Sequence, residues 1–241
     1  MNAVKRLFGV EAKDIQEDVI LTPFLDCAYF AHSDKAKKAK GFLFEVFTEE
    51  HYSVIKTGVG ASFVGDAVMY LAQTPCKKLY FLGSCAGCGH SEVGDILLAE
   101  KALAAESFTD IIEENGRYAF VIPKKSLHED LLKWRASCGN QQEKDVIQQA
   151  NIATLGSLSQ QDRLTAFLKQ HGISGVDMEV SAFFSAANKR NCACCALLYV
   201  TDIIGEKSFF RALTNEERAK IKEARQRAVT LVCDFIRSQN A

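Results

Sequence analysis

Val54-Ile55-Lys56-Thr57-Gly58-Val59-Gly60, running into Ser62 to Gln73, is the stretch on which the fold turns. A short β-branched apolar run reads as a strand and breaks at two glycines. Val64, Ala67, Val68 and Leu71 then recur at i, i+3, i+4 and i+7, the spacing of an amphipathic helix. A strand, a glycine turn and a helix N-terminus meet there. Backbone N–H groups at such a helix start can face an anion or a polar ligand, and a plain strand-to-helix turn is the alternative. Phe63 stands where a dinucleotide fingerprint needs its third glycine, and no Gly-Lys-Ser/Thr follows to make a phosphate loop.

Outward from this unit, apolar segments alternate with helical patterns for most of the chain, which predicts an α/β fold: one domain over residues 1–241 with a central mixed β-sheet flanked by helices. Strands are expected at Val19 to Leu21, Phe42 to Phe47, Tyr52 to Thr57, Leu79 to Gly83, Asp95 to Ala99, Tyr118 to Ile122, Asn151 to Leu155 and Ala196 to Thr201. Near the C-terminus Thr214 and Glu217 have capping-box spacing. Ile221, Ala224, Ala228, Leu231 and Phe235 then line one face of a long helix, with Glu223 and Arg227 on its solvent side.

Composition narrows the function. Lys and Arg total 29 against 30 acidic residues, a net charge of −1, so no global field draws the protein to nucleic acid or an anionic membrane. Met1 to Asp14 lacks a signal-peptide apolar stretch, and the longest apolar run, Cys192 to Val200, is about half of what a spanning helix needs. A cytoplasmic protein with a small-molecule partner is expected. The nine cysteines are odd in number in a large chain and read as reduced core residues rather than a disulfide framework.

Two further segments carry chemistry. Leu82-Gly83-Ser84-Cys85-Ala86-Gly87-Cys88-Gly89 is a strand end breaking into small residues, which lets a ligand approach the backbone. Its Cys85 and Cys88, with His90 beyond, spell a C-x-x-C pair open to a zinc or redox reading, but no second pair follows at zinc-ribbon spacing. The other is Gly175-Val176-Asp177-Met178-Glu179-Val180, before a helix with Phe183, Phe184 and Ala187 inward and a strand ending in Tyr199-Val200-Thr201-Asp202. Glu179 opening a helix and Asp202 closing a strand can converge in one cleft; read alone, they are a helix-start Glu favoured by the macrodipole and a solvated strand-end Asp.

Together these segments resemble the nucleoside phosphorylase and nucleosidase superfamily, in order as well as in wording: Thr57-Gly58-Val59-Gly60, Gly83-Ser84-Cys85-Ala86-Gly87 with Val93-Gly94-Asp95, Val176-Asp177-Met178-Glu179, and Thr201-Asp202. The resemblance runs from about residue 50 to the end of the chain. It implies a three-layer sandwich and cleavage of the N-glycosidic bond of a nucleoside, with ribose passed to phosphate and no cofactor or metal. It implies that Met178 packs on the ribose and that Glu179 accepts hydrogen bonds from its 2′ and 3′ hydroxyls. Ser84, Cys85 and Ala86 match the segment beside the base and the anion, Val176 a residue lining the base pocket, and Leu164 stands where an aromatic covers the base; apart from the resemblance, Ser84 and the amides near Gly58 can contact an anion. Asp202 resembles the acid that protonates a purine ring nitrogen, which requires a raised pKa, and Arg218 matches an arginine that contacts this acid. A homo-oligomer is implied as well.

The chain also departs from that pattern. Phe81 replaces an arginine that holds phosphate, and Leu21-Thr22-Pro23-Phe24-Leu25-Asp26 replaces a glycine- and arginine-bearing phosphate segment. Losing these cations favours a hydrolytic nucleosidase, whereas the Gly-Ser-Cys run favours a phosphorylase, with Lys56, Lys40 or Arg6 as replacement charges. A non-catalytic nucleoside binder on the same fold is the third reading.

Overall fold

The computed structural model describes residues 3–33, 36–106, 119–138, 147–158 and 161–240, and of Asp162 and Arg163 the backbone alone. Strands β1 (Asp18–Thr22), β2 (Lys37–Lys40), β3 (Glu45–Thr48), β4 (Ser53–Lys56), β5 (Lys78–Gly87), β6 (Ile96–Ala105), β7 (Phe120–Val121), β8 (Ile147–Leu155), β9 (Ile173–Asp177) and β10 (Ala193–Ile203) join in one mixed sheet. Around it lie helices α1 (Ala3–Phe8), α2 (Ala61–Tyr70), α3 (His128–Ser137), α4 (Gln161–Gln170), α5 (Val180–Lys189) and α6 (Asn215–Asn240).

Strands β4, β1, β5 and β10 run parallel in that order, so their carboxyl ends share one end of the sheet. Every residue of β1 is buried, as suits a strand covered on both faces, while the lysines of β2 lie on an exposed edge. Strand β10 also pairs with β6, β6 with β8, β8 with β9, and β9 with β5. These pairings close a ring of strands from which β1, β4, β3 and β2 extend.

Helix α5 is buried from Val180 through Asn188, because Ala, Ser and Phe all around its circumference let it pack against α2 as well as the sheet. Helix α6 begins with the expected reciprocal cap: Glu217 N donates to Thr214 Oγ1 at 3.2 Å and Thr214 N to Glu217 Oε2 at 3.0 Å. Its buried face carries Ile221, Ala224, Ala228, Val232 and Phe235, with Leu231 half-buried beside it.

Several boundaries differ from the sequence expectation. Strands β5, β6, β8 and β10 run longer, because ladder pairing continues through small and polar residues that interrupt the apolar pattern. The expected strand at Phe42 to Phe47 begins only at Glu45, since Phe42 and Leu43 donate their N–H groups to Arg6 and Leu7 of α1. Strand β9 and helices α3 and α4 were not anticipated. The expected strand at Tyr118 begins outside the described residues, which show Phe120–Val121.

Candidate active site

A cavity of about 500 Å³ opens at the carboxyl ends of β5, β9 and β10, where open α/β sheets place their ligands. Ser84, Cys85 and Ala86 line it from β5, Val176 and Asp177 from β9, and Tyr199, Thr201 and Asp202 from β10. Met178 and Glu179 follow β9 directly. Phe24 and Val59 approach from the loops after β1 and β4, and Leu213, Ile221 and Arg225 from the start of α6.

Asp177 organises one side. Its Oδ2 accepts hydrogen bonds from Glu179 N at 2.9 Å and Val180 N at 2.7 Å, and its Oδ1 from Thr154 Oγ1 at 2.7 Å. It thereby caps α5, a task the Glu179 side chain does not perform although Glu179 is the N-cap residue. The Glu179 carboxylate turns instead towards α2, where its Oε1 accepts from Gly60 N at 2.6 Å; Oε2 accepts from Met178 N at 3.3 Å. Gly60 holds φ at 116°, a backbone state that suits glycine. Burial, followed by the Asp177 charge, pushes Glu179 well above the usual carboxylate range, against the opposing amide hydrogen bonds. Burial also raises Asp177.

Asp202 stands on the opposite side, 6% exposed. The register between β10 and β5 slips between Val200 and Asp202, leaving Thr201 without a partner across the ladder, and such a bulge re-aims neighbouring side chains. Thr201 and Asp202, though adjacent in sequence, both line the cavity. Thr201 Oγ1 lies 2.7 Å from Asp202 Oδ1 and 3.2 Å from the Cys85 carbonyl oxygen, so one hydroxyl can donate to an ionised Asp202 or turn to the carbonyl when Asp202 is protonated. Burial raises the Asp202 pKa, while the Thr201 hydroxyl and the charge of Arg211 pull it back part of the way. The site thus holds three carboxyls, Asp177, Glu179 and Asp202, inclined to keep their protons, as an acid needs near neutral pH.

Of the residues singled out by sequence, Ser84, Cys85, Ala86, Val176, Met178, Glu179 and Asp202 line this cavity, and Leu164, Arg218 and Gly58 do not. Leu164 packs half-buried into a satellite core beneath α4, and Leu158 and Gln161 line the cavity from that side. Arg218 is exposed, and its Nε donates to the Leu213 carbonyl at 3.3 Å. Arg211 is the arginine whose charge reaches Asp202, and it is also held in a two-pronged pair with Glu217 at 2.5 and 3.0 Å. Gly58 N–H is spent on the Pro23 carbonyl at 3.0 Å.

Phe81 is 1% exposed and packs 5.6 Å from the Phe183 ring, so that position faces the core rather than the cavity. The replacement charges fare no better: Arg6 lies over Phe42, Lys40 is 3.9 Å from Glu45, and Lys56 is not among the lining residues. Cys85 and Cys88 belong to different core clusters, and burial raises both thiols. Among the described residues no group of three or more His, Cys, Asp or Glu is placed to hold a metal ion, and no helix is long and apolar enough to cross a membrane.

Sequence reasoning overlooked Arg225. The available signal was its place one turn after Ile221 and beside Ala224, on the apolar face of α6, where a cation breaks the buried stripe.

Residues 9–237 match the model of the phosphorylase superfamily. The fold is similar to uridine phosphorylase from Vibrio fischeri, at 17% identity and a TM-score of 0.76 over 93% of this chain and 92% of that one. AMP nucleosidase from Bacteroides thetaiotaomicron is similar at 19% identity and 0.68, over 94% of each chain. Purine nucleoside phosphorylase from Toxoplasma gondii, in complex with immucillin-H, is similar at 16% and 0.73, over 92% of this chain and 91% of that one. No curated protein sequence matches the chain.

Proposed function

The chain belongs to the phosphorylase superfamily, and from that premise we propose that it is a purine nucleoside phosphorylase, passing ribose from the base to phosphate. The observation that carries this reading is the placement of Glu179 and Asp202 in one cavity, each buried, each with its pKa raised and each presented by a helix start or a strand bulge.

Glu179 anchors the sugar. A carboxyl group offers acceptor positions to two neighbouring hydroxyls, and fixing the ribose diol orients the ring as it gains oxocarbenium character. Met178 packs against the sugar. Asp202 donates its proton to a purine ring nitrogen as the C1′–N bond breaks and the bonding electrons move to the base, while a phosphate oxygen forms the new bond to C1′. Ser84, Cys85, Ala86 and Val176 surround the base and the reacting centre. Uracil and thymine have no free ring nitrogen to take the proton, which is why an acid at Asp202 favours purines over them.

Hydrolysis is the second reading, and the specific observation favouring it is that neither β5 nor the loop after β1 brings a cation to the cavity lining. One domain over the whole chain, a cytoplasmic location and a homo-oligomer complete the reading; exposed Phe24, Val59, Phe209 and Phe210 are among the apolar side chains available for subunit contact.

The protein is incubated with inosine, adenosine, uridine and methylthioadenosine, with and without phosphate, and base release is followed by chromatography. Phosphate-dependent release of a purine base with a sugar 1-phosphate is the expected result. Release indifferent to phosphate would make the protein a nucleosidase, and no release from any nucleoside would overturn catalysis in favour of binding.

A further inference from the structure

Arg225 is a half-buried cation in the wall of the cavity and makes no ion pair among the described residues. Its Nη1 donates to the Tyr29 hydroxyl at 2.9 Å, and its Nε is enclosed and has no hydrogen-bond acceptor. The guanidinium carbon lies 5.4 Å from the centre of the Tyr29 ring and 5.9 Å from that of Tyr199. Two aromatic rings offset part of the cost of removing this charge from water, but a guanidinium short of acceptors in a cavity wall is poised for an anion.

Its neighbours point the same way. Tyr199 on β10 pairs in register with Ser84 on β5, and paired positions in adjacent parallel strands project to the same face. Ser84 lines the cavity, and its hydroxyl has no hydrogen-bond partner among the described residues. The other charged lining groups are Asp177, Glu179 and Asp202, and their tendency to hold protons lessens their repulsion of an incoming anion.

We propose that Arg225, oriented by Tyr29 and assisted by the Ser84 hydroxyl, binds the phosphate group at this site, a cation supplied by the last helix instead of by β5 or the loop after β1. A forked guanidinium matches the oxygens of a tetrahedral dianion, carried either by inorganic phosphate or by a phosphate ester on the sugar. The assignment rests on the cavity being the nucleoside site.

Calorimetric titrations with inorganic phosphate, and with a nucleoside 5′-monophosphate against its parent nucleoside, test wild type, Arg225→Met and Arg225→Lys. At least one phosphate-bearing ligand should bind Arg225→Met about tenfold or more weakly, Arg225→Lys should fall between, and the parent nucleoside should shift by less than about threefold. Weakening of inorganic phosphate identifies the free anion, and weakening of the monophosphate alone identifies the ester. If Arg225→Met does not fold, Arg225→Lys removes the fork and Tyr29→Phe the orienting hydroxyl; unchanged phosphate binding in both overturns the proposal. So does equal binding to Arg225→Met and wild type, or no phosphate binding by wild type. Phosphate binding that depends on Arg225 without base release from any nucleoside sinks the cleavage reading alone, whereas phosphate-dependent base release with phosphate binding unchanged in Arg225→Met sinks this assignment alone.

Discussion

Gly60 and Glu179, separated by 119 residues, meet at 2.6 Å, with the Gly60 amide donating to Oε1 of the carboxylate. The contact ties the start of α2 to the start of α5 and holds Glu179 in the cavity wall. Glutamine preserves the shape and can keep its carbonyl oxygen on Gly60, but it cannot ionise, so its second position stays an N–H₂ donor where the carboxylate formed on binding the diol accepts from a sugar hydroxyl. Glu179→Gln should therefore lower kcat/KM for base release by about 100-fold or more, within the range of losing oriented binding, while its melting temperature at neutral pH stays at or above that of wild type. Kinetics and thermal melts on the same preparation check this; full activity in the variant would remove Glu179 from the mechanism.

Thr201 sets the working range of Asp202. Its hydroxyl donates to the carboxylate and so lowers a pKa that burial raises. A general acid works only while protonated, so activity declines as pH rises through the Asp202 pKa. Thr201→Val removes the lowering contribution and should move the alkaline limb of the pH–kcat/KM profile to higher pH. Asp202→Asn should abolish that limb and cost about 10²- to 10⁴-fold with purine nucleosides. A limb that stays in place in both variants would assign it to another group.

Legibility of the sequence followed the physics of each signal. The turn at Gly58 and Gly60 and the cap of α6 were readable because they are local: a strand, a glycine break or a reciprocal Thr214–Glu217 pair spans only a few residues. Strand β9 was not, since Ile173–Asp177 carries three polar or glycine positions and is defined by its pairing with β5 and β8. Most of the cavity lining follows from motif order. The Gly58 amide did not become an anion site because Pro23 consumes its donor, a contact between segments more than thirty residues apart. Arg225 was hidden by convention: an arginine in an otherwise good helix reads as solvent-exposed, and only tertiary packing shows it turned inward beneath Tyr29 and Tyr199.

Phe81 and Gly83 form a steric couple beneath the cavity. A Cβ on Gly83 would stand 2.9 Å from Phe81 Cε1 and 3.1 Å from Cζ, and the ring is held against Phe183. Gly83→Ala should destabilise by about 1–3 kcal/mol, the usual cost of overpacking. Phe81→Leu, which removes the crowding atoms, should make the double variant more stable than the sum of the single changes implies. Denaturant unfolding of the four proteins measures this coupling, and strict additivity would show that the ring yields freely.

The buried pair Asp177 and Glu179 makes stability depend on pH in an unusual direction. Both pKa values lie above their ordinary values of 3.8 and 4.5, chiefly through burial. Each proton is therefore held more tightly in the folded state, so the associated stability is full below those ordinary values and is lost as pH rises through the folded ones. Across the window from about pH 4.5 upward past neutrality, this pair should lower the melting temperature of the wild type. His32 and His128, whose pKa burial lowers from 6.5, contribute with the opposite sign over part of the same window, gaining stability as pH rises. Comparing wild type with Glu179→Gln isolates the carboxyl effect, because both proteins keep the histidines. Melts from about pH 5 to 8.5 should show the variant gaining steadily on the wild type as pH rises, since it has lost one buried titrating proton. Parallel curves would mean that Glu179 reaches solvent when ionised, and that its contact with Gly60 opens in the empty protein.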